Sequence, residues 1–441
     1  MDKKHTIYKL LCGVVIIAVA VLLLSGLLSG NDVRYHKDAL TGEDVTVMKA
    51  DAPAQLAYDG TINADAWAEI YPQITASMND NDKNDEIVSY LEQDPYLVNI
   101  YEGFGFAKEY GSARGHAYTL EDVHNTARPH ATANCLTCKT PNFAKLVQDQ
   151  GVGVYTMDFE EVYEQIKASG EVISCYTCHG NSAGNDGELR VTHPYVNEAL
   201  GGNVSTIDAA TLSCGQCHIE YYFTPADKET MMPYDSVAAM DPEAILAYYD
   251  SMVLPDGTVG FADWTQESTG ARMLKAQHPE METYLQGPHA NDLNCADCHM
   301  EVKMAEDGTV YHSHELVSPL SSEAILATCM RCHGDTNMTE KVHRIQDQVT
   351  ARETEIGNKL SEFKNALAAA NAEGKLDAET LDAVRKLYRE AQWFFDFCYV
   401  ENAEGAHNST LANHCLDLAA EKISAGMVLL TGEGVDPALA E

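Results

Sequence analysis

The sequence predicts a mainly α-helical protein in two styles, with short helices and loops through the middle of the chain and long helices at the C-terminal end. Three observations lead there. Few stretches alternate with period two, as half-buried strands would. Ten of the 13 cysteines fall into five pairs with two residues between partners, all between residues 135 and 332. From about Thr339, apolar residues recur at three- and four-residue steps over Glu340 to Ala370, Ala378 to Tyr399 and Ser409 to Leu430, with Asn371-Ala-Glu-Gly374 dividing the first two.

Residues 1–30 begin with Lys3, Lys4 and Lys9, and the run Leu10 to Gly30 carries no charge. That is about the 20 residues a membrane-crossing helix needs. Lysines held on the cytoplasmic side put everything after residue 30 outside the cytoplasm. Leucine stands three places before both possible exits, Leu24-Ser25-Gly26 and Leu28-Ser29-Gly30, which favours an uncleaved anchor at residues 10–30 over a cleaved signal. Cys12 lies at the start of the apolar run, where a lipid-bearing cysteine would follow it, and reads as a spectator thiol. An N-terminal region follows over residues 31–100, polar to Asp59 and then amphipathic over Ala64 to Met78 and Asp85 to Leu91. The cysteine pairs occupy residues 101–335. The long-helix region, residues 336–441, suits a bundle or dimer interface, with packing inside one protomer the equal alternative.

At 441 residues and 45% hydrophobic content the chain can bury a sizeable core, which excludes general disorder. Against 67 acidic residues stand 29 Lys and Arg, a formal charge of −38 that repels phosphate backbones and argues against a nucleic-acid partner.

The five pairs are Cys135-Leu-Thr-Cys138-Lys139, Cys175-Tyr-Thr-Cys178-His179, Cys214-Gly-Gln-Cys217-His218, Cys295-Ala-Asp-Cys298-His299 and Cys329-Met-Arg-Cys332-His333. A disulfide framework does not need this spacing. Zinc accepts such pairs but does not require the next residue to be histidine. With 17 histidines in the chain, four of five by chance has odds of roughly one in 10⁵. The spacing fits covalent haem: two thiols add to the vinyl groups, and the next imidazole, on the same turn, reaches the iron. The exported location agrees. Five porphyrins would supply the apolar core, so short helices and loops suffice to cover them. Four haems that only carry electrons each want a second axial ligand, and 13 histidines lie outside the motifs.

Lys139 breaks the pattern. An ammonium has no lone pair, so it binds iron only after losing its proton, which a dry site beside a Lewis acid favours. A fifth haem with a lysine on one face and the other face open is the candidate catalytic centre.

One CxxCK followed by four CxxCH resembles the pentahaem cytochrome c nitrite reductases that form ammonium. The similarity runs over roughly residues 90 to 430. It includes Glu92-Gln-Asp-Pro-Tyr-Leu-Val98, Arg114-Gly-His116, Cys214 through Phe223, and Met273-Leu-Lys-Ala-Gln-His-Pro-Glu280. It implies a multihaem cytochrome c fold built around five haems, and six-electron reduction of nitrite at the Lys139 haem. Arg114, Tyr221 and His278 would surround the open face: arginine and imidazole hold the anion's oxygens, His278 donates protons, and Tyr221 hydrogen-bonds nearby. A calcium is implied beside them, on Glu220 and Gln277 with the carbonyls of Tyr221 and Lys275, although some relatives carry an arginine in its place.

By the same resemblance the second axial ligands are His116 for the haem of His218, His289 for that of His333, His314 for that of His179 and His407 for that of His299. His312 competes with His314, and His414 with His407. Ser409, where a proline commonly follows the asparagine, and Ala113, where a proline often precedes Arg-Gly-His, depart from the family. Dimerisation through the long helices and a membrane-bound quinol-oxidising multihaem cytochrome as donor are also implied. A site fed by anions in so acidic a protein is expected to be locally positive. Two other readings stay open: an electron-transfer cytochrome without its own substrate, and the same site serving hydroxylamine or sulfite. His5, His36, His124, His130, His193 and His343 have no assigned role. Cys398 and Cys415 are free to form a disulfide outside the cytoplasm, but sequence cannot show that they meet.

Overall fold

The computed structural model describes residues 36–37, 44–45, 64–130, 132–180 and 189–431. The apolar segment at residues 10–30 and Cys12 lie outside the described residues. Among the described residues no helix is long and apolar enough to cross a membrane. The chain divides into two compact units, Met1–Val47 and Met48–Glu441. In the first, one antiparallel pair is described, His36–Lys37 with Asp44–Val45.

The second unit is helical, and its strands are two- and three-residue pieces in isolated antiparallel pairs. That agrees with the scarcity of period-two sequence. The stretch expected to be amphipathic over 64–78 is a 3₁₀ turn, Ala64–Trp67, followed by a helix over Pro72–Asn79. Residues 85–88 are irregular and Ser89 bridges Gly111, because the helix there starts only at Tyr90, after the Ser89 side chain accepts from the Glu92 amide.

Three long helices close the chain: Met338–Glu373, Ala378–Tyr399 and Ser409–Thr431. The first begins on an Asn337 cap and ends where Gly374 adopts φ 62°, a left-handed stop that suits glycine. Asp377 then caps the second through the Thr380 amide at 2.8 Å. They pack against one another, and their apolar faces share one core with Tyr96, Leu97 and Ile100 from the N-terminal region and Tyr101, Tyr195 and Tyr249 from the cysteine-pair region. Packing within the protomer therefore accounts for these faces. The change of style near residue 335 falls inside a single core. Hydrogen bonds tie the two regions: Trp393 Nε1 donates to the Pro242 carbonyl at 2.8 Å, and the Tyr399 hydroxyl donates to Asp94 at 2.9 Å.

A second, smaller core of Leu120, Ala133, Leu136, Phe143, Val162 and neighbours carries the motif that ends in Lys139. Ala133 and Leu136 are wholly buried in it, which fixes the turn bearing Cys135.

Cys398 and Cys415 are both buried free thiols, so the permitted disulfide is not formed. Cys398 instead donates to Glu353 Oε1 at 3.2 Å. Burial raises the Glu353 carboxyl to about 7. An acid with a raised folded-state pKa is neutral at no cost below its unfolded value of 4.5 and destabilises the fold as pH climbs through about 7. Glu353→Gln should therefore raise stability at pH 8 by roughly 1–3 kcal/mol and change it little at pH 4.5, read from urea midpoints of the haem-loaded protein. Tight helix contact makes a second prediction. A Cβ on Gly426 would lie 2.1 Å from Cζ of the buried Phe363. Gly426→Ala should cost about 1–3 kcal/mol by overpacking, despite the ~1 kcal/mol that alanine gains in helix propensity; a midpoint at or above the parent's would contradict it.

Candidate active site

Attachment turns are built by local sequence. In Asn294-Cys-Ala-Asp-Cys-His, Asn294 Oδ1 accepts from the Asp297 amide at 3.1 Å and Asp297 returns the bond to the Asn294 amide at 2.8 Å. This reciprocal cap starts the one-turn helix Cys295–His299 with both thiols and the imidazole on it. Cys175–His179 forms a similar turn, and Cys329, Cys332 and His333 end the helix Glu323–His333.

Each motif histidine faces a second imidazole. Ring centroids are 6.3 Å apart for His116 and His218, 6.4 Å for His179 and His314, 6.1 Å for His289 and His333, and 6.2 Å for His299 and His407. One metal bound at about 2 Å by a nitrogen of each ring puts the centroids roughly 6.3 Å apart. Nδ1 bonds leave Nε2 free at several rings: His299 to the Val317 carbonyl at 3.0 Å, His314 to the His312 carbonyl at 2.9 Å, and His407 to Glu401 at 2.6 Å. His314, not His312, faces His179, and His414 instead contacts Glu243 at 3.4 Å. Burial lowers the pKa of His218 to about 3, yet 45% of its side chain is accessible. The residues present fit haem.

The thiols place the five motifs in sequence. Cys138 and Cys217 lie together beside His193, Cys214 neighbours Cys295, and Cys298 neighbours Cys329. Ser213 contacts the Cys178 carbonyl, joining the remaining motif to the centre of the chain. His193, passed over in the sequence, is buried with its Nε2 3.4 Å from Cys217 Sγ. Cys138, His193 and Cys217 lie close enough to hold a metal ion, but thioether bonds to two different haems consume both thiols.

Lys139 stands outside the four imidazole pairs. Burial raises the Tyr221 hydroxyl far above its usual value, with Cys138 and Cys135 adding negative charge nearby. Burial, then His218, Lys139, Lys275 and Arg128, hold His278 well below the ordinary imidazole range. Lys275 and Arg128 are the cations near His278 that take no part in holding haem. Arg114 is a correction. Its guanidinium pairs with Asp122, with Glu121 at 3.1 Å, and stacks 3.9 Å from the Tyr118 ring centroid. Arg128 is the arginine felt by both Tyr221 and His278; it lies over Phe106 at 4.4 Å, and Lys275 lies at the same distance from that ring. The missed signal was the acidic pair Glu121-Asp122, which neutralises Arg114.

Beside this site Glu220 is fully buried. Its Oε1 accepts from the Tyr249 hydroxyl at 2.8 Å and Oε2 from the Gln277 amide at 2.6 Å. Gln277 Nε2 donates to the Lys275 carbonyl at 2.9 Å. Glu282 contacts the Glu220 amide through Oε1 and leaves Oε2 buried without a hydrogen bond. Two buried carboxylates with amide and carbonyl oxygens form a donor set suited to a hard divalent cation. Tyr221 follows Glu220 directly in the chain.

Cysteine-anchored turns and facing imidazoles inside a helical fold define a multihaem cytochrome c. The sequence profile of the Cytochrome c552 family matches residues 63–438, and the chain belongs to that family. It is 31% identical to the cytochrome c-552 of Desulfotalea psychrophila (strain LSv54 / DSM 12343), over 96% of this chain and 83% of that one. Its fold matches the solved cytochrome c nitrite reductase from Desulfovibrio desulfuricans ATCC 27774 with a TM-score of 0.76 and 29% identity, over 87% of this chain and 90% of that one. That structure is described for the two calcium sites of its catalytic subunit, NrfA.

His407→Ala should convert one haem from low to high spin, visible by electron paramagnetic resonance and near-infrared absorption. His414→Ala should leave both spectra as in the parent. The opposite result would make His414 the partner of His299.

Proposed function

We propose that the protein reduces nitrite to ammonium at a haem carried by Cys135, Cys138 and Lys139, fed by four haems that each lie between two histidines. The observation that carries this reading is the uneven use of ligands. Four motifs end in a histidine facing another histidine, while the fifth ends in a lysine with Arg128, Tyr221 and His278 around it. A carrier of electrons alone has no use for that asymmetry. The likeness to the Desulfovibrio desulfuricans nitrite reductase supports the same reading.

Haem bound at Lys139 supplies electrons and a Lewis-acidic iron. To hold that iron the lysine would offer the lone pair of its amine. Arg128 offers a fixed, bidentate guanidinium to the oxygens of nitrite, the role the sequence assigned to Arg114. Conversion of nitrite to ammonium and two waters takes six electrons and eight protons, so a proton donor must sit within reach. His278, kept neutral at rest by its surroundings, relays protons through the ring nitrogen facing the substrate, taking one up and handing it on. Tyr221 stays protonated and donates a hydrogen bond.

Calcium held by Glu220, Gln277 and the carbonyls of Tyr221 and Lys275 would balance the buried carboxylates and stiffen the segment carrying His278. The charge-flanked apolar segment at residues 10–30 supports an extracytoplasmic protein anchored to the membrane. A quinol-oxidising multihaem cytochrome in that membrane is the fitting donor. Exposed Val428 and Leu429 on the last long helix suit a homodimer contact.

The test is an anaerobic assay of the haem-loaded protein with reduced viologen, nitrite, and ammonium quantified at the end. Near-stoichiometric ammonium is expected. Arg128→Ala should lower kcat/KM by roughly 10²–10³-fold, while Arg114→Ala stays within a few-fold of the parent. Dye oxidation without nitrite loss would identify an electron-transfer cytochrome, and the reverse ranking of the two arginines would restore Arg114.

A further inference from the structure

Glu280 sits at the start of the helix Glu280–Leu285, between two functional imidazoles. Its Oε1 lies 4.0 Å from Nδ1 of His278, and its Oε2 lies 3.9 Å from Nδ1 of His218. The carboxylate is buried, Oε2 has no hydrogen bond, and Oε1 is held by Asn402 Nδ2 at 2.6 Å. The backbone fixes the same three residues, since the Glu280 amide donates to the His278 carbonyl at 2.8 Å and the Met281 amide to the His218 carbonyl at 3.1 Å.

The rings of His218 and His278 are 6.5 Å apart, a spacing that by itself resembles the axial pairs. Their orientation separates the two cases. Both turn Nδ1 toward one carboxylate, so their Nε2 atoms point away from a shared centre. His116 then completes the pair with His218, and His278 keeps Nε2 for substrate.

We infer that Glu280 is a positioning residue that holds the axial histidine of one haem and the proton-donating histidine of the active site through the two oxygens of a single carboxylate. This rests on the functional reading above. At 3.9 and 4.0 Å the carboxyl group acts on each Nδ1–H through its charge rather than through a formed hydrogen bond, which favours the Nδ1–H tautomer, orients the ring and makes its Nε2 more basic. At His218 that favours the oxidised haem and lowers its potential. At His278 it turns a basic Nε2 toward the substrate, the nitrogen that takes up a proton and hands it on. One side chain thereby links the haem next to the active site with the group that hands over protons.

The experiment uses the full-length, haem-loaded protein with Glu280→Gln, which preserves shape and removes the charge, and Asn402→Ala, which leaves the carboxylate but frees it. Redox titration, low-spin electron paramagnetic resonance and steady-state nitrite kinetics are read together. Glu280→Gln should raise the midpoint potential of one bis-histidine haem, shift its low-spin signal, and lower kcat by roughly 10–100-fold with KM little changed. Asn402→Ala should move potential and kcat in the same directions by less. A shifted haem with unchanged kcat, or a reduced kcat with unchanged haem signals, overturns the shared role. If Glu280→Gln fails to load five haems, Asn402→Ala decides on the same criteria. Failure of the nitrite reading looks different: the parent itself, fully haem-loaded, turns over no nitrite, and the His278 half of the inference falls with it.

Discussion

Everything in the central region depends on holding two imidazoles about 6 Å apart across a flat apolar group. A histidine on the turn after Cys-x-x-Cys is placed by covalent chemistry, but its partner must come from elsewhere in the chain. His407, for example, lies beyond two of the long helices and still meets His299. The fold is therefore a set of brackets. Its short helices carry attachment turns, and its loops bring back second ligands. Nδ1 bonds to carbonyls or to Glu401 fix the ring orientations. The all-protein core is correspondingly concentrated where the long helices meet Tyr96–Tyr101, away from most of the attachment turns.

Charge is distributed in the same way. A formal −38 covers the molecule, yet Lys275 and Arg128 are among the groups acting on His278. Lys275 is almost wholly buried, with its ammonium over the rings of Phe106, Tyr110 and Tyr101, and the carbonyl of Ala276 accepts from it at 2.9 Å. A cation kept inside by aromatic faces and neighbouring carboxylates can attract an anion without being neutralised by it.

The attachment motifs were legible because two thioether bonds and one metal bond impose a fixed spacing on consecutive residues. The long helices were legible from periodicity, and their break at Gly374 from its left-handed conformation. Distal histidines lie far away in sequence, so spacing could not choose between His312 and His314 or between His407 and His414; packing separates them in the structure. Arg114 was misread because its place beside Gly115-His116 says nothing about where a long guanidinium points. Asp122 and Glu121, on the next helical turn, claim it. Arg128 has no comparable motif around it, and only the folded chain carries it to Phe106 and the face of His278.

Order in space then gives the site its meaning. The Lys139 motif touches the His218 motif through Cys138 and Cys217, that motif touches the His299 motif through Cys214 and Cys295, and the next step runs from Cys298 toward Cys329. The motif with the unusual ligand is at one end of this series. A relay needs both faces of each intermediate iron filled, because an open face would let small molecules draw electrons off along the way. The paired imidazoles meet that need at four stations. The Lys139 motif, mounted on its own small core, departs from that repeat, and under the proposed reading this one departure is what makes the series end in an enzyme rather than a conductor.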